Sequence, residues 1–312
     1  DLYYCYRLLL GRKPKKEDWD IWLRLIRSGM ERGDLADMFI SSDEFQNKHG
    51  IKPPVCVSTD SFVIYVDEHD FLVGRPIVQH KYWEPHITTV IKRELKAGNT
   101  FVDIGANMGW FTLVAASILR LTGKVIAIEP NYNNLQLLYR SIITNGLHNV
   151  VVYPYAVTET DRLLQLRFAR SSGFVSPIDH VGNSATYVQG VSLDNLLKDE
   201  PQINLIKIDI EGHEPVALKG MGQIVEKHRP IIITEFQPKL IKAYSSMEPE
   251  DYLKALIALD YKLSVIQEDG SEVSLSNEIE ILRYWRDYNQ SLGTNDLAHL
   301  DLVAKPIQQS KP

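Results

Sequence analysis

Residues 205–215, LIKIDIEGHEP, change within a few positions from an apolar strand pattern to a cluster of charged residues. Asp209, Glu211 and His213 follow the apolar residues at every second position. A carboxylate or a neutral imidazole can take the proton of a hydroxyl group near pH 7. We therefore interpret His213 as a candidate general base, with Asp209 next, and a hydrogen-bonding role of His213 at a helix start stays open.

Two further residues of this segment predict a local structural role. Pro215 suits the first turn of a helix, because it lacks an N–H group that would have no partner there. Glu214, just before it, is expected to cap this helix, since the helix dipole favours a carboxylate at that end. The cluster thus contains candidates for chemistry and one candidate cap.

Another carboxylate, Glu235, lies near the end of the apolar stretch PIIITEF. If the strands that carry Asp209 and Glu235 are neighbours, both carboxylates reach one crevice, where Asp209 is also a candidate cofactor contact. Such carboxylates can hold a Mg²⁺ ion that orients a sugar diol and lowers the pKa of its hydroxyl. They can also hydrogen-bond sugar hydroxyls without a metal. We favour the second interpretation and assign no metal ligands.

The segment FVDIGANMGWFT, residues 101–112, combines a strand end, glycines and a helix start. Gly105 and Gly109 permit a tight turn and a close approach of the backbone to a ligand, and the helix start adds N–H groups. The dinucleotide pattern G-x-G-x-x-G is not met. The spacing D-x-G-x-N-x-G, which begins at Asp103 and includes Asn107, suits S-adenosylmethionine. Asp103 can balance its ammonium, directly or through water, while loop amides face its carboxylate.

The next predicted strand, KVIAIE, ends in Glu129. A carboxylate at this position can accept two hydrogen bonds from a ribose diol. Because Asp103 and Glu129 lie at the ends of adjacent strands, both can face one nucleoside. The combination predicts cofactor binding, and a plain turn with a solvated Glu129 is the alternative.

Strand and helix patterns alternate after residue 61, and PIIITEF is typical of a parallel strand covered on both faces. The alternation predicts an α/β fold with a doubly wound sheet and ligands at the carboxyl ends of its strands. Predicted strands are TFVDIG, KVIAIE, NVVVYPYAV, INLIKIDI, PIIITEF and a closing HLDLVAKP; predicted helices are HITTVIKRELKAG and residues 110–121 and 134–145. FVIYVDEHDFLVG predicts a β-hairpin, and residues 161–190 predict a polar insertion over the top of the sheet.

The amino-terminal part has a different pattern. Its segments LYYCYRLLLGRKP, KKEDWDIWLRLIRSG and ERGDLADMFISSDEF predict helices, because apolar residues recur at three- and four-residue spacing. Prolines without any periodicity follow and predict a linker. We expect a small all-α domain at 1–49, a linker at 50–60, a larger domain at 61–306 and a tail at 307–312.

Composition narrows the class of protein. The chain has 312 residues, 44% of them hydrophobic and 24% charged, with a net charge of −6. The sequence contains no apolar run of about 18 residues, so it predicts no transmembrane segment. The acidic net charge argues against a nucleic-acid partner. The two cysteines lack metal-ligand spacing, so a cytoplasmic protein is the default expectation. No signal peptide is visible, although a start at Asp1 leaves open whether sequence precedes it.

Residues 61–306 resemble the FkbM family of S-adenosylmethionine-dependent O-methyltransferases. The resemblance is carried by YWEP (82–85), FVDIGANMGWFT, VIAIEPNYNNLQLL (125–138), VSLDNLL (191–197), LIKIDIEGHE and PIIITEF. It implies the seven-stranded, Rossmann-like class I methyltransferase sheet and methylation of hydroxyls, often on sugars of surface glycans or on natural products. It also implies cofactor contacts by Asp103, Gly105, Asn107 and Gly109 in the loop, by Glu129 on the ribose and by Ala156 beside the adenine.

The first 45 or so residues resemble a small helical domain of unassigned function in bacterial surface and secreted proteins, through YRLLLGRKP, WLRLIRSGM and FISSDEF. Similar units accompany glycan-modifying enzymes, which favours a polysaccharide acceptor, and the domain is a candidate site for a protein partner. Its aromatic residues Tyr3, Tyr4, Trp19 and Trp22 can stack on sugars, although packing in a helical core is the commoner role.

We therefore predict an O-methyltransferase that acts on a hydroxyl of a sugar or glycan precursor. Two alternatives stay open: methylation of a small natural product such as a polyketide, and an inactive cofactor-binding module that serves interaction. Arg167 or Arg170 in the insertion could meet an anionic acceptor, but we favour a solvated surface for both.

Overall fold

The structure is a computed structural model that describes residues 6, 12–30, 38, 42, 44, 53–169, 172–176 and 186–307. The chain divides into two compact units, Asp1–Val55 and Cys56–Pro312. Our finer boundaries at residues 49, 60 and 306 stay predictions. Most of the first and third predicted amino-terminal helices, together with Tyr3, Tyr4, Arg170 and the tail beyond residue 307, lies outside the described residues.

The described elements are numbered in chain order. The helices are α1 (Lys16–Arg27), α2 (Gly74–His80), α3 (Pro85–Glu94), α4 (Trp110–Leu119), α5 (Tyr132–Thr144), α6 (Leu193–Leu196), α7 (Glu214–Lys219), α8 (Gly222–His228), α9 (Pro238–Tyr244), α10 (Pro249–Ala258) and α11 (Glu278–Leu292). The strands are β1 (Val55–Ser58), β2 (Val63–Val66), β3 (Thr100–Ile104), β4 (Lys124–Ile128), β5 (Val150–Tyr153), β6 (Ala156–Val157), β7 (Arg162–Ala169), β8 (Ser172–Ser176), β9 (Thr186–Val191), β10 (Leu205–Ile208), β11 (Ile231–Phe236), β12 (Tyr261–Ile266), β13 (Glu272–Ser274) and β14 (Leu300–Pro306).

In the amino-terminal unit, α1 confirms the middle one of the three predicted helices. The carboxylate of Asp18 accepts a 2.7 Å hydrogen bond from the Lys15 amide and lies 2.8 Å from a nitrogen of Arg12. The indole N–H of Trp22 donates a 2.9 Å hydrogen bond to the hydroxyl of the buried Tyr6. These contacts favour packing within the unit as the role of Trp22.

The large sheet contains eight strands in the order β13-β12-β14-β11-β10-β3-β4-β5. Strands β11, β10, β3, β4 and β5 are parallel, and β14 is antiparallel to both β11 and β12. The chain runs outward from β3 to β5 and then returns to β10 on the other side of β3. The doubly wound sheet is therefore confirmed, with its switch point between β3 and β10 and with the short β13 as an eighth strand beyond the expected seven.

The apolar runs explain why these segments form the centre of the sheet. Every residue of β3 and of β10 is buried. Since successive residues of a strand face opposite sides, both faces of the sheet are covered. Alternate residues such as Val102, Ile104, Ile206 and Ile208 belong to one core cluster, which includes residues of α7, α8, α10 and α11.

The hairpin predicted in residues 62–74 is wrong. Strand β2 pairs instead with the preceding β1, and a turn leads from β2 into α2. The carboxylate of Asp70 accepts hydrogen bonds of 3.0–3.2 Å from the amides of Leu72, Val73 and Gly74. This side chain satisfies backbone groups that a second strand would have used, and it starts a helix.

The single strand predicted in NVVVYPYAV is also wrong, because two strands share this segment. Strand β5 ends before Pro154, which has no N–H group to continue a ladder. Strand β6 joins a second, four-stranded sheet in the order β6-β9-β7-β8. The insertion predicted at 161–190 forms most of this smaller sheet, and its residues 177–185 lie outside the described part.

Other differences are small. Of the three helices predicted in the larger unit, α3 ends four residues earlier than expected and α5 begins two residues earlier. Strands β12 and β13 were not predicted. Within the described part of the chain, no helix is both long enough and apolar enough to cross a membrane.

Candidate active site

A cavity of about 450 Å³ opens at the carboxyl ends of the central strands. Residues of the smaller sheet, among them Leu166, Gly173 and Val175, also line it. Most of the predicted site residues meet here: Gly105, Asn107, Glu129, Ala156, Asp209, Glu211, His213 and Glu235. Asp103 and Gly109 are not among the lining residues. The structure thus brings the candidate cofactor residues and the candidate catalytic residues into one space.

The glycine loop between β3 and α4 depends on two close contacts. Gly105 has a φ of +82°, and a Cβ there would lie 1.9 Å from the carbonyl oxygen of Asp209. Gly109 has a φ of +98°, and a Cβ there would lie 2.4 Å from Leu138. Helix α4 begins directly after Gly109, which leaves its first turn without a side-chain cap. Larger residues would therefore displace the loop from the strand ends.

Glu129 lies buried just beyond the end of β4 and organises the neighbouring loops. One oxygen accepts a 2.8 Å hydrogen bond from the amide of Asn107, and the other accepts a 2.8 Å hydrogen bond from the amide of Asn131. Burial raises the pKa of Glu129 to about 7, although these amides oppose the increase. A carboxylate has about four lone-pair sites, so Glu129 retains capacity for donors of a ligand.

Asp103 and Asp209 share a buried cation that the sequence analysis did not identify. Lys207 lies opposite Asp103 in the pairing of β10 with β3, and its ammonium donates a 2.8 Å hydrogen bond to Asp209. Burial would lower the pKa of Lys207, but Asp209 and Asp103 outweigh it and raise the pKa. Asp103 accepts a 2.6 Å hydrogen bond from the hydroxyl of Thr112, and its buried Oδ1 has no partner within the residues that the structure describes. Burial raises the pKa of Asp103.

The predicted helix start after His213 is confirmed, but the role of Glu214 is different. His213 is the N-cap residue of α7, and Glu214 is its first residue. The carboxylate of Glu214 accepts hydrogen bonds of 2.9 and 3.2 Å from the amides of Ile210 and Gly212, upstream in the chain. It therefore closes the loop 210–214 instead of capping the helix, because the turn at Gly212 points these amides back towards it. Burial raises the pKa of Glu214 to about 7.

His213 lines the cavity and is buried, with its ring stacked on that of Tyr244 at a centroid distance of 5.9 Å. Burial lowers the pKa of His213 to about 4. Its Nδ1 is buried and has no hydrogen-bond partner among the described residues. The imidazole is consequently neutral at pH 7, and one of its nitrogens is unpartnered within this part of the chain.

Glu235 in β11 belongs to a group of ionisable residues that includes two unexpected members. Its Oε1 lies 3.2 Å from Nδ1 of His299, and Asp301, its partner in the pairing of β11 with β14, lies 3.7 Å from Nε2 of His299. Burial would lower the pKa of His299, but Asp301 and Glu235 outweigh it and raise the pKa to about 10. Burial raises the pKa of Glu235 well above its usual range.

Asp301 also contacts His86 of α3, whose Nε2 lies 2.8 Å from its carboxylate. Burial alone would raise the pKa of Asp301, but His299 and His86 hold it below its usual range. Glu84, the N-cap residue of α3, lines the same cavity. Burial, with Asp301 and Asp209 nearby, raises the pKa of Glu84 to about 7.

Sequence reasoning missed four residues of the site, although each left a signal. Lys207 is a lysine inside an otherwise apolar strand, which in a buried position requires carboxylate partners. Glu84 stands in the YWEP motif before a proline, and His299 and Asp301 are polar residues at the start of the closing strand. In the described part of the chain, no group of three or more His, Cys, Asp or Glu side chains has an arrangement that could hold a metal ion.

Comparisons with known proteins place the chain in a family. A family model described as the methyltransferase FkbM domain matches residues 103–263, and a model of a domain of unknown function, DUF4214, matches residues 2–49. Hexuronic acid methyltransferase AglP of Haloferax volcanii is 25% identical over 225 residues, which cover 68% of this chain and 78% of that protein.

Solved structures of methyltransferases are also similar. A methyltransferase FkbM from Methylobacillus flagellatus is 17% identical with a TM-score of 0.41, over 74% of this chain and 60% of that one. An S-adenosylmethionine-dependent O-methyltransferase from Thermotoga maritima is 12% identical with a TM-score of 0.40, over 86% of this chain and 83% of that one. The family model covers more than half of the 312 residues, and the chain therefore belongs to the FkbM family of S-adenosylmethionine-dependent methyltransferases.

Proposed function

We propose that this methyltransferase acts on a hydroxyl group of a sugar or glycan precursor, as in the synthesis of a surface polysaccharide. The observation that carries the proposal is the shared cavity. Residues suited to the cofactor, such as Gly105 and Glu129, and residues suited to a hydroxyl acceptor, such as His213 and Glu235, line one space of about 450 Å³. A transfer reaction needs its two substrates in contact, and this arrangement provides for it.

The residues present fit the cofactor. Gly105 lets the loop pack directly against the backbone of Asp209 at the end of β10, and Glu129 retains lone pairs for a ribose diol. Ala156 is a small, buried lining residue that leaves room for an adenine ring. S-adenosylmethionine supplies an electrophilic methyl group on a sulfonium centre.

We assign Asp103 an indirect part in cofactor binding. Its carboxylate is fully buried and lies outside the lining of the cavity, with Lys207 between it and Asp209. Its Oδ1, which has no partner among the described residues, supports this part. A bridging water would connect that oxygen with the ammonium of the cofactor.

His213 is our candidate for removal of the acceptor proton. A general base must be unprotonated and must have an accessible lone pair. His213 meets the first condition at pH 7, because its pKa is lowered to about 4, and its buried Nδ1 would become accessible through a rotation of the ring. Asp209, which lines the cavity while it accepts a hydrogen bond from Lys207, is the second candidate.

The sugar part of the proposal has two supports. Carboxylates such as Asp209 and Glu235 accept hydrogen bonds from neighbouring hydroxyls, which suits a diol. A relative that covers 68% of this chain is named a hexuronic acid methyltransferase. Both observations favour a carbohydrate over a polyketide or another natural product.

Calorimetry with S-adenosylmethionine, its demethylated product and NAD tests the cofactor. We expect heat from the first two and none from NAD, and the reverse pattern would overturn the proposal. Transfer of a tritiated methyl group to glycan precursors of the host tests the acceptor. Label that appears in lipid or polyketide fractions and never in sugars would overturn the carbohydrate assignment.

A further inference from the structure

One group of side chains in the cavity takes no part in the cofactor contacts described above. We call Glu84, Glu235, His299 and Asp301 the acidic region. The first three line the cavity, and Asp301 lies behind His299. They lie at the start of α3, in β11 and at the start of β14, so three separate elements place them together.

The acidic region contains an acceptor atom that no group in the described part of the chain satisfies. While Oε1 of Glu235 faces His299, its Oε2 is closed off from solvent and has no hydrogen-bond partner there. Buried polar atoms in folded proteins nearly always have partners, and an exception calls for an explanation. Since Glu235 lines the cavity, rotation of its carboxyl group would turn this oxygen towards a donor on a bound molecule.

The backbone of Glu84 has a conformation that the following residue, Pro85, disfavours. Its φ of 36° and ψ of 70° are left-handed, although a residue before a proline normally adopts an extended backbone. Such strain persists only where the surrounding structure enforces it, and it is concentrated at functional sites. The strained backbone keeps this carboxyl group at the cavity beside the other members of the acidic region.

The charges of the lining do not suit an anionic acceptor. Among the described lining residues, the basic ones are Lys207, His213 and His299. Lys207 is engaged by Asp209, His299 lies between two carboxylates, and His213 is neutral at pH 7. A carboxylate brought in by a ligand would therefore lose its solvation here without an unengaged cation to replace it.

We propose that the acidic region is the acceptor site and that it takes an uncharged polyol, a neutral sugar ring, and not a uronate. The ring hydroxyls donate to the carboxyl groups of Glu235 and Glu84. The inference rests on the proposed function and specifies its acceptor. It also separates this chain from the relative whose name gives hexuronic acid as its acceptor.

Matched pairs of methyl glycosides test the inference. Methyl glucoside and methyl glucuronide differ only in having CH₂OH or a carboxylate at C6, and the galactose and mannose pairs differ in the same way. Binding is measured by ligand-detected NMR on the full chain saturated with S-adenosylhomocysteine. We expect the neutral member of at least one pair to bind at least about tenfold more tightly than its uronate, because a carboxylate that leaves water without an unengaged cation is strongly disfavoured.

Variants locate the site. Glu235→Gln and Glu84→Gln each replace one acceptor oxygen by a donor, and we expect each to weaken neutral-glycoside binding by roughly tenfold. Glu248→Gln makes the same change at an exposed position that does not line the cavity and should have no effect. Unchanged affinity for S-adenosylhomocysteine in all three variants would show that the fold and the cofactor site are intact.

The outcomes separate this inference from the proposed function. Equal or tighter binding of the uronates, or methyl transfer to a uronate as ether or ester, would overturn the neutral acceptor while sugar methylation stands. Failure of every neutral glycoside to bind would likewise overturn it. Failure of S-adenosylhomocysteine and S-adenosylmethionine to bind at all would overturn the proposed function itself.

Discussion

The ammonium of Lys207 donates a 2.8 Å hydrogen bond to the carboxylate of Asp209 at the end of the same strand. The position of Lys207 opposite Asp103 in the neighbouring strand makes this cation common to two acidic residues. A single buried lysine thus sets the charge at the switch point of the sheet.

Replacing this lysine should destabilise the fold. Lys207→Met keeps most of the aliphatic volume but leaves two carboxylates without their cation, which typically costs about 3–5 kcal/mol. Lys124→Met is the control, because the Lys124–Glu200 pair includes a lysine that is 39% exposed, and exposed pairs contribute about 0–1 kcal/mol. Urea unfolding measures both, and equal losses would contradict a structural role of Lys207.

The glycine loop allows a comparison of two residues with the same backbone angle. Gly105 and Gly98 both have a φ of +82°, but a Cβ would lie 1.9 Å from a backbone oxygen at Gly105 and 3.8 Å at Gly98. Gly98→Ala should therefore cost only about 1–2 kcal/mol for the left-handed conformation. Gly105→Ala adds a clash and should lose at least about 3 kcal/mol as well as cofactor binding. Similar unfolding midpoints for both variants would argue against the close contact.

Cofactor affinity should increase with pH through the titration of Glu129. The ribose hydroxyls donate to the ionised carboxylate, and the pKa of Glu129 is raised to about 7. We expect affinity for S-adenosylmethionine to rise from about pH 5 to pH 8 and then to level off. Glu129→Gln should remove this rise. Calorimetry of the variant then measures the pH dependence that comes from titration of the ligand alone. A wild-type profile parallel to that of the variant would exclude Glu129 as the ribose contact.

The same group has the opposite effect on the stability of the free protein. The folded pKa of Glu129, about 7, lies above the ordinary value of 4.5. Its contribution is fully present below about pH 4.5 and is lost as the pH rises through about 7. Unfolding measurements across this range should show a decline with pH that is smaller in Glu129→Gln.

The two candidate bases can be separated from cofactor binding. His213→Ala or Asp209→Asn should lower kcat by about 10²–10⁴-fold if the altered residue removes the acceptor proton. Affinity for S-adenosylhomocysteine should stay within about threefold in His213→Ala. His148→Ala, at an exposed position outside the cavity, is the control. Unimpaired turnover in either variant would remove that residue from the mechanism.

Local patterns were enough to predict the central strands and the glycine loop. The strands that carry Asp103, Glu129 and Asp209 are apolar runs with a polar end, and such runs form parallel strands wherever both faces are covered. The break at Pro154 could not be read from periodicity, because the apolar pattern continues across it. A missing N–H group, and not hydrophobicity, divides that segment between two sheets.

The unpredicted part of the site depends on contacts between distant segments. His299 and Asp301 matter because β14 inserts beside β11, and Glu235 and Asp301 become direct partners only in that register. The strain at Glu84 likewise depends on what surrounds α3. The polar residues themselves are visible in the sequence, but nothing local predicts their pairing, because Asp301 lies 66 positions after Glu235 and β12 and α11 come between their strands.

The smaller sheet has a consequence for how acceptor choice can change. Its strands β6 to β9 hydrogen-bond with one another as a unit separate from the large sheet, and they contribute Ala156, Leu166 and Val175 to the wall of the cavity. Exchanging this smaller sheet between homologues would therefore change the cavity wall around the acceptor, while the strand ends of the large sheet keep the candidate catalytic residues in place. Acceptor specificity can therefore change through replacement of the smaller sheet, without changes in the large sheet.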